Sequence, residues 1–484
     1  MIVGLAFVAN ALSNFVVGLL AARFLGPSEF GRYAIGWAGA VLVNTVAFDW
    51  LRLSAVRFAS ERARAENPAV RATLEACFAA AAALVAPLAL GILLVRLDLG
   101  LAPEVVALAA LTGVASGLFD FRTALARARF LDRLYARIVL AKNALGFVLT
   151  VGGAFVFRSA AIALAGTCLS VAGAMISAGR GLDDRRTGFS EARADEAARF
   201  AAYAAPFVLS SAALQLLPIA NRVVLGWMFG YAEAGQFSLA NDIGTRMLFA
   251  VASAMDVMLF RLAVRAAESG DLGAARRQVA DNAALVLAAI LPLAAGLWAA
   301  SPSLEAAIAP PAYRGPFGPT LVAALPGLAC FAILMYAVGP TFQIVHRTQT
   351  MIAAGLAACL GEAAVIALAP RLMLSGVGVA WAQTGGLATA LVVAIVLAAR
   401  QGAAAPPLKD LAAISSAAAL MAAAALPLRA LAPGPATLAL QAAIGATVYA
   451  AALVALDAAG ARIFARRLAR RFLVSPCEGQ LPPP

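Results

Sequence analysis

SAAIALAGTCLSVAGAMISAG, residues 159–179, is a run of 21 residues that contains no charged side chain. An α-helix needs about 20 apolar residues to cross the roughly 30 Å hydrocarbon core of a bilayer. Residues 2–22 and 372–399 form comparable apolar runs. All three runs therefore predict helices that cross a membrane.

The composition of the whole chain agrees with these runs. Hydrophobic residues make up 63% of the 484 residues and charged residues only 13%, whereas soluble domains typically carry about 25% charged residues. In lipid, every backbone amide needs an internal partner, so only helices and closed barrels can span. A barrel would show strands of about 10 residues with alternating polarity, which this sequence does not. The chain is predicted to be an all-α polytopic membrane protein.

Apolar runs between clusters of charge predict about fourteen spans. Their approximate bounds are 2–22, 33–54, 76–95, 103–119, 138–157, 159–179, 200–228, 234–260, 282–304, 316–345, 350–369, 372–399, 411–428 and 436–456. Two pairs of runs are separated only by Arg158 and by Arg371. Twelve spans remain possible if these pairs are misread.

Arginine and lysine residues are distributed unevenly between the two sides of this arrangement. Cytoplasmic loops of membrane proteins carry an excess of both residues. If the N-terminus is cytoplasmic, the cytoplasmic side holds 28 basic residues and the opposite side seven. The distribution predicts an even number of spans with both termini in the cytoplasm. Basic loops facing anionic lipid then explain the net charge of +12, which is no evidence for a nucleic-acid partner.

The ends of the chain and the cysteines give further expectations. Residues 2–22 are too long for the apolar part of a cleavable signal and are interpreted as the first span. Residues 459–484 are predicted to form a basic amphipathic segment, RIFARRLARR at 462–471, and then a disordered tail. Neither a metal site nor a cofactor is expected. Four cysteines fall in predicted spans without paired loop spacing and are predicted to be core residues, namely Cys77, Cys168, Cys330 and Cys359.

An internal repeat is visible around the second span of each half. FLGPSEFGRYA at 24–34 aligns with MFGYAEAGQFS at 228–238 at a constant offset of 204. The alignment matches Gly26 with Gly230, Glu29 with Glu233, Gly31 with Gly235, Tyr33 with Phe237, and, farther on, Arg57 with Arg261. Chance similarity between alanine- and glycine-rich helices is the alternative explanation.

The repeat suggests how the chain is divided. Six spans per half is an even number, so both halves enter the membrane in the same orientation, as parallel repeats related by an axis along the membrane normal. We expect a six-helix lobe at 1–182, a second at 183–400, two additional spans at 401–458 and the terminal segment at 459–484. A substrate path between two lobes suggests alternating access.

Several of these segments resemble a known family. AARFLGPSEFGRYA at 21–34 resembles the segment after the first helix of polysaccharide-export flippases, which belong to the multidrug/oligosaccharidyl-lipid/polysaccharide exporter superfamily. AAPFVLS around Pro206, Asn221-Arg222 and GQFSLA at 235–240 are similar to that family's seventh and eighth helices. The chain departs from the pattern at Asn221, where many relatives carry an acidic residue, so a carboxylate role there is in doubt.

The resemblance implies a function. Flippases of this kind move undecaprenyl-pyrophosphate-linked oligosaccharides, such as O-antigen or exopolysaccharide repeat units, across the bacterial inner membrane. It implies a transporter rather than an enzyme, with a lipid-linked oligosaccharide as substrate, membrane lipid around it and other polysaccharide-assembly membrane proteins as candidate partners.

Two acid–base pairs lie in predicted spans, where ionisable groups are costly and mark a path or a buried pair. Asp49 and Arg52 are three residues apart, and Asp242 and Arg246 are four apart. Both spacings predict local ion pairs on one helix face. The alternatives are that Arg52 contacts a pyrophosphate at the cytoplasmic mouth and that Arg246 lines a cavity.

Arg222 has no acidic residue three or four positions away. It therefore needs a partner on another helix, water, or an anionic ligand, and a guanidinium donates paired hydrogen bonds to phosphate. With Asn221 beside it, Arg222 is the leading candidate for substrate binding.

Other polar residues in the spans have less specific roles. Lys142 either extends to the cytoplasmic headgroups or joins Arg222 in the cavity. Asp49, Asp242, Asp256 and Glu362 are candidates for a coupling ion, with pairing between helices or a surface position as the alternatives for the last two. Gln343, His346 and Gln383 are expected to form hydrogen bonds between helices.

Two other functions compete with the flippase. An ion-coupled multidrug antiporter of the same superfamily would typically use an acidic residue in the first lobe, but the first span offers only Asn10 and Asn14 as strongly polar residues. A polysaccharide polymerase or ligase would carry a sizeable loop with clustered acids or histidines. The chain has one histidine and no phosphate-binding glycine motif, so it is predicted not to be an enzyme.

Overall fold

The computed structural model describes residues 2–59, 67–97, 100–178, 182, 188–268, 271–345, 347, 349–371 and 375–462. These residues are nearly all helical. The helices are α1 (Ile2–Ala47), α2 (Asp49–Phe58), α3 (Pro68–Val95), α4 (Pro103–Ala128), α5 (Asp132–Gly146), α6 (Gly152–Phe157), α7 (Ala160–Ala178), α8 (Ala194–Met228), α9 (Tyr231–Glu268), α10 (Leu272–Ala299), α11 (Ser301–Ile308), α12 (Phe317–Ile333), α13 (Gly339–Ile344), α14 (Thr350–Leu368), α15 (Gly376–Arg400), α16 (Leu408–Ala425) and α17 (Pro435–Leu456). The predicted all-α fold class is confirmed.

Thirteen helical segments in the described part are long and apolar enough to cross a membrane. The pair around Arg158 is resolved into the segments Asp132–Phe157 and Ala160–Ser177, and the pair around Arg371 into Thr350–Leu368 and Gly376–Arg400. Two of the thirteen continue through a π-helical turn, at Phe147–Val151 and at Leu334–Val338. The tightly spaced runs are therefore separate helices, as the fourteen-span prediction requires.

The first of these segments, Ala9–Ala47, contains two of the predicted spans. Its 39 residues would measure about 58 Å as one straight helix, nearly twice the hydrocarbon thickness. The helix is interrupted at Gly26, whose φ of 72° and ψ of 171° are not helical, and Pro27 follows. Counted on either side of Gly26, the described segments amount to the fourteen spans predicted from the sequence.

The chain forms two compact units. The first consists of Met1–Arg246, Ala309–Gly327 and Arg347–Ala394, and the second of Met247–Ile308, Leu328–His346 and Ile395–Pro484. The buried core of the first unit includes Phe48, Phe121 and Phe200. In the second, Arg429 of the turn after α16 donates a hydrogen bond of 2.7 Å to the carbonyl of Ala299 at the end of α10. The lobe boundaries at 182 and 400 stay a prediction.

The repeat predicted at 24–34 and 228–238 has matching backbone geometry at its glycines. Gly26 and Gly230 have positive φ angles, 72° and 89°, which glycine adopts without steric penalty. Gly31 and Gly235 lie where two helices meet: a Cβ built on Gly31 would overlap the carbonyl oxygen of Tyr231, and one on Gly235 would overlap that of Pro27. Because the offset of 204 exchanges the members of these two contacts, the repeat is also a symmetry of the structure.

The matched glutamates have matching partners. Glu29 accepts a hydrogen bond from the main-chain nitrogen of Ala160, and Glu233 accepts one from that of Gly376, each at 2.8 Å. Ala160 and Gly376 are the first residues of α7 and α15. Each carboxylate therefore stabilises the positive N-terminal end of a helix in the equivalent place of each repeat.

Removing either carboxylate should loosen the helix that it caps. We expect Glu29→Ala and Glu233→Ala each to lower the free energy of unfolding by about 0.5–2 kcal/mol, the usual effect of losing an N-terminal cap. Ser28→Ala, at an exposed neighbouring position, is the matched control and should leave stability unchanged. Unfolding in mixed micelles measures all three, and equal stability of the glutamate variants and the control would contradict the capping role.

Other predictions fall partly outside the described residues. The four cysteines placed in spans are free thiols and are half-buried rather than fully buried core residues. The predicted amphipathic segment after Arg462 and the tail lie outside the described residues. His346 also lies outside them.

Candidate functional site

Three residues of the first half of α1 form one face. Asn10, Asn14 and Gly18 follow each other at intervals of four, which places them above one another on a helix. The ammonium of Lys142, from α5, donates hydrogen bonds to the Oδ1 atoms of Asn10 and Asn14, at 3.0 Å and 3.2 Å. It also lies 5.5 Å from the centre of the Phe119 ring. Lys142 is thus held by neutral groups of other helices rather than extending alone towards headgroups.

Arg246, from α9, reaches the same face of α1. Its Nη1 donates a hydrogen bond to the main-chain oxygen of Asn14. Gly18 leaves the space for this approach, because a Cβ there would lie 3.1 Å from Nη1. Asn14 therefore contacts two cations, Lys142 through its side chain and Arg246 through its main chain.

The local pair predicted between Asp242 and Arg246 is wrong. The Oδ1 atom of Asp242 accepts a hydrogen bond from Nη2 of Arg222, on α8, and the two form an ion pair. Arg222 thereby finds the partner on another helix that its sequence neighbours could not supply. Its side chain is only 8% exposed, and its Nε atom has no partner among the described residues.

Asn221, beside Arg222, belongs to a chain of amides. Its Nδ2 donates to Oε1 of Gln383 at 3.1 Å, and Nε2 of Gln383 donates to Oδ1 of Asn241 at 2.9 Å. Gln383 thus links helices as predicted. Glu362 is buried nearby on α14, with 5% of its surface exposed, and its Oε1 atom has no hydrogen-bond partner in the described part of the chain.

The remaining candidates are placed as follows. Nε of Arg52 donates to Oδ1 of Asp49 at 2.6 Å, so this predicted local pair is confirmed. Asp256 is partly exposed on α9 and forms no ion pair with a described residue. Neither the Asp49–Arg52 pair nor Asp256 contacts the face formed by Asn10, Asn14 and Gly18.

Sequence reasoning gave no role to four residues of this region. Asn10 and Asn14 are noted above only as polar residues of the first span, although side chains four apart lie on one face of a helix. Asp120 was missed because the predicted span ended at residue 119, yet its Oδ2 accepts a hydrogen bond from Nδ2 of Asn44 at 2.9 Å. Gly18 carries no chemical signal at all.

The arrangement of Lys142 and Arg246 suits an anion. Among the described residues, neither cation has a carboxylate within ion-pair distance, and their hydrogen-bond partners are neutral oxygens. Charges within a bilayer are costly unless they are paired or serve a ligand. Two such cations on one residue provide several free donors for a doubly charged group such as a pyrophosphate.

Comparisons with known proteins identify the family and the fold of the chain. A family model described as "Polysaccharide biosynthesis protein" matches residues 20–307. Among solved structures, the lipid II flippase MurJ in an inward closed conformation is similar with a TM-score of 0.70 and 14% identity, over 97% of this chain and 99% of that chain. No curated protein sequence matches significantly.

Two transporters are similar to a smaller extent. An inward-facing multidrug resistance MATE family transporter of the MOP superfamily has a TM-score of 0.54 and 15% identity, over 81% of this chain and 94% of that chain. A MOP superfamily transporter from Pyrococcus furiosus has a TM-score of 0.53 and 14% identity, over 83% and 93%. At these identities the similarity establishes the fold.

Proposed function

Because the chain belongs to the polysaccharide biosynthesis protein family and has the fold of the MOP superfamily, we propose that it is a flippase for an undecaprenyl-pyrophosphate-linked oligosaccharide. Its cargo is the repeat unit of an O-antigen or exopolysaccharide, carried across the bacterial inner membrane. Both termini lie in the cytoplasm. The observation that carries the proposal is the convergence of Lys142 and Arg246 on Asn14, where neither cation forms an ion pair with a described carboxylate.

The pyrophosphate is the part of this substrate that such a site recognises. A guanidinium offers a planar fork of donors and an ammonium a compact charge, and hydrogen bonds between ionised partners are about twice as strong as neutral ones. An incoming pyrophosphate therefore replaces the neutral oxygens of Asn10 and Asn14 with a better acceptor. Arg52, already paired with Asp49, is a weaker candidate at the cytoplasmic mouth.

Arg222 and Asn221 have a different role in this proposal. Arg222 is paired with Asp242, and Asn221 is engaged with Gln383, so both support the site rather than bind the headgroup. Translocation proceeds by alternating access of the lobes at 1–182 and 183–400, and the protein is not an enzyme. Asp49 and Asp242 are used in ion pairs, which leaves Asp256 and Glu362 as candidates for a coupling ion.

The direct test removes the two charges while keeping hydrogen-bonding capacity. We expect Lys142→Gln and Arg246→Gln each to slow translocation of undecaprenyl-pyrophosphate oligosaccharide in proteoliposomes by about 10- to 100-fold, the equivalent of one charged hydrogen bond. The readout is the sidedness of the labelled lipid. Lys409→Gln, at an exposed lysine, is the control and should transport normally.

A second candidate function is ion-coupled export of a cationic compound. The fold similarity to MATE transporters and the buried carboxyl of Glu362 favour it, whereas Lys142 and Arg246, which form no ion pair with a described residue, would repel such a substrate. If the wild-type protein moves no lipid-linked sugar and extrudes a cationic dye along a proton or sodium gradient, this function replaces the flippase. Normal lipid transport by both glutamine variants would likewise refute the proposed headgroup site.

A further inference from the structure

Asn14 connects the first helix to cations from two other helices. Its Oδ1 accepts a hydrogen bond from the ammonium of Lys142 at 3.2 Å, and its main-chain oxygen accepts one from the guanidinium of Arg246. Residue 18, one turn later, is glycine, and a Cβ there would lie 3.1 Å from Nη1 of Arg246, so a larger side chain would crowd the second contact. The contacts come from different groups of the same residue, so each can be altered without the other.

These contacts use the donors that an anionic headgroup requires. A donor that is withdrawn from water and has no partner costs free energy, so in the absence of ligand the half-buried Arg246 keeps the Asn14 carbonyl as its acceptor. A phosphate oxygen is charged and the carbonyl is neutral, so the phosphate is the stronger acceptor. When the phosphate binds, the hydrogen bond between Arg246 and the first half of α1 breaks.

From this competition we infer that Asn14 is a positioning residue that holds Arg246 until the headgroup arrives, so that headgroup binding releases the first helix. The inference rests on the proposed function and adds the step that couples binding to movement. It requires the ligand to weaken the contacts of residues 9–25, whereas a purely structural role of Asn14 would leave them unchanged or strengthen them.

The test uses the full-length protein in nanodiscs, with undecaprenyl pyrophosphate as the probe and uncharged undecaprenol as the control lipid. Gly18→Val places extra methyl groups against Arg246 and should separate it from Asn14. Gly91→Val is the matched control, because a Cβ there meets nothing within 4 Å. Two quantities are measured: the affinity for the lipid, and hydrogen exchange of the amides of residues 9–25, which reports local opening.

In the wild type, undecaprenyl pyrophosphate should speed exchange in residues 9–25, and undecaprenol should not. In Gly18→Val, exchange should be fast before lipid is added, and affinity should rise about 10- to 100-fold because one competing hydrogen bond to a charged group is gone. Gly91→Val should behave as the wild type. Asn14→Ala, which keeps the main-chain carbonyl and loses only the Lys142 contact, should raise affinity by less than Gly18→Val.

Two results separate failure of this inference from failure of the proposed function. If pyrophosphate lipid slows exchange in the wild type and Gly18→Val lowers affinity, the contact between Asn14 and Arg246 belongs to the bound state and the inference is wrong. The headgroup site still stands in that case, provided that Lys142→Gln and Arg246→Gln lose binding. If the wild type does not distinguish the pyrophosphate lipid from undecaprenol, both proposals fail.

Discussion

Replacing Gly31 with alanine is expected to lower the free energy of unfolding by about 3 kcal/mol, at the upper end of the range for overpacked sites. The new methyl group would overlap the carbonyl oxygen of Tyr231. A side chain in that place could rotate away, but a carbonyl of a helix cannot move without the helix. The same reasoning applies to Gly235→Ala, whose methyl group would overlap the carbonyl oxygen of Pro27. Unfolding in mixed micelles and translocation in proteoliposomes measure the effect.

Gly39→Ala is the matched control, because a Cβ at this position of the same helix meets only the Cβ of Ala109 at 3.7 Å. It should leave stability and transport unchanged. The double variant Gly31→Ala/Gly235→Ala should lose less than the sum of the single variants, since the first methyl group already separates the helices for the second. Wild-type stability of Gly31→Ala would mean that the two helices are not in contact.

Replacing Arg222 with alanine is expected to have an effect of similar or larger size. The change leaves the carboxylate of Asp242, whose side chain is 25% exposed, without its cation inside a predicted span, and breaking one side of a largely buried ion pair costs up to about 3–5 kcal/mol. We therefore expect less folded protein. Transport should fall only as far as the amount of folded protein falls. The double variant Arg222→Met/Asp242→Leu removes both charges, and replacing a buried pair by apolar residues is often neutral, so it should recover stability to within about 1 kcal/mol of the wild type.

The recovery also decides what the arginine does. If Arg222 serves only to neutralise Asp242, the apolar double variant should regain transport along with stability. If the double variant folds normally but carries no lipid, Arg222 or Asp242 acts on the substrate directly, and our assignment of Arg222 to a supporting role is wrong. Arg52→Met/Asp49→Leu provides a comparison at the ion pair within α2.

The sequence is informative about the fold because lipid imposes one dominant constraint. Each span must be apolar over a fixed length, so Arg158 and Arg371 are sufficient to mark the ends of closely spaced helices. The break at Gly26 was predictable for the same reason, since a longer straight helix would not fit. The repeat was detectable because its matched glycines and glutamates have geometric roles that other residues fill poorly.

The candidate site was predicted only where its contacts are local. Asp49 and Arg52 are partners along one helix, and the spacing rule applies to them directly. The rule failed for Asp242 and Arg246 because it cannot see Arg222 on the neighbouring helix, 20 residues earlier in the chain. The partners of Lys142 are more than 120 residues away, and Arg246 is held by a main-chain oxygen, which no side-chain pattern encodes.

The meeting of Gly31 and Gly235 has a consequence for how such a protein can diverge in evolution. A contact between the main chains of two helices does not depend on the chemistry of the side chains around it. The residues around Gly31 and Gly235 can be exchanged in evolution without altering the distance between the two helices at that point. The two repeat segments can thus lose most of their sequence similarity while the distance between the two helices at Gly31 and Gly235 stays the same.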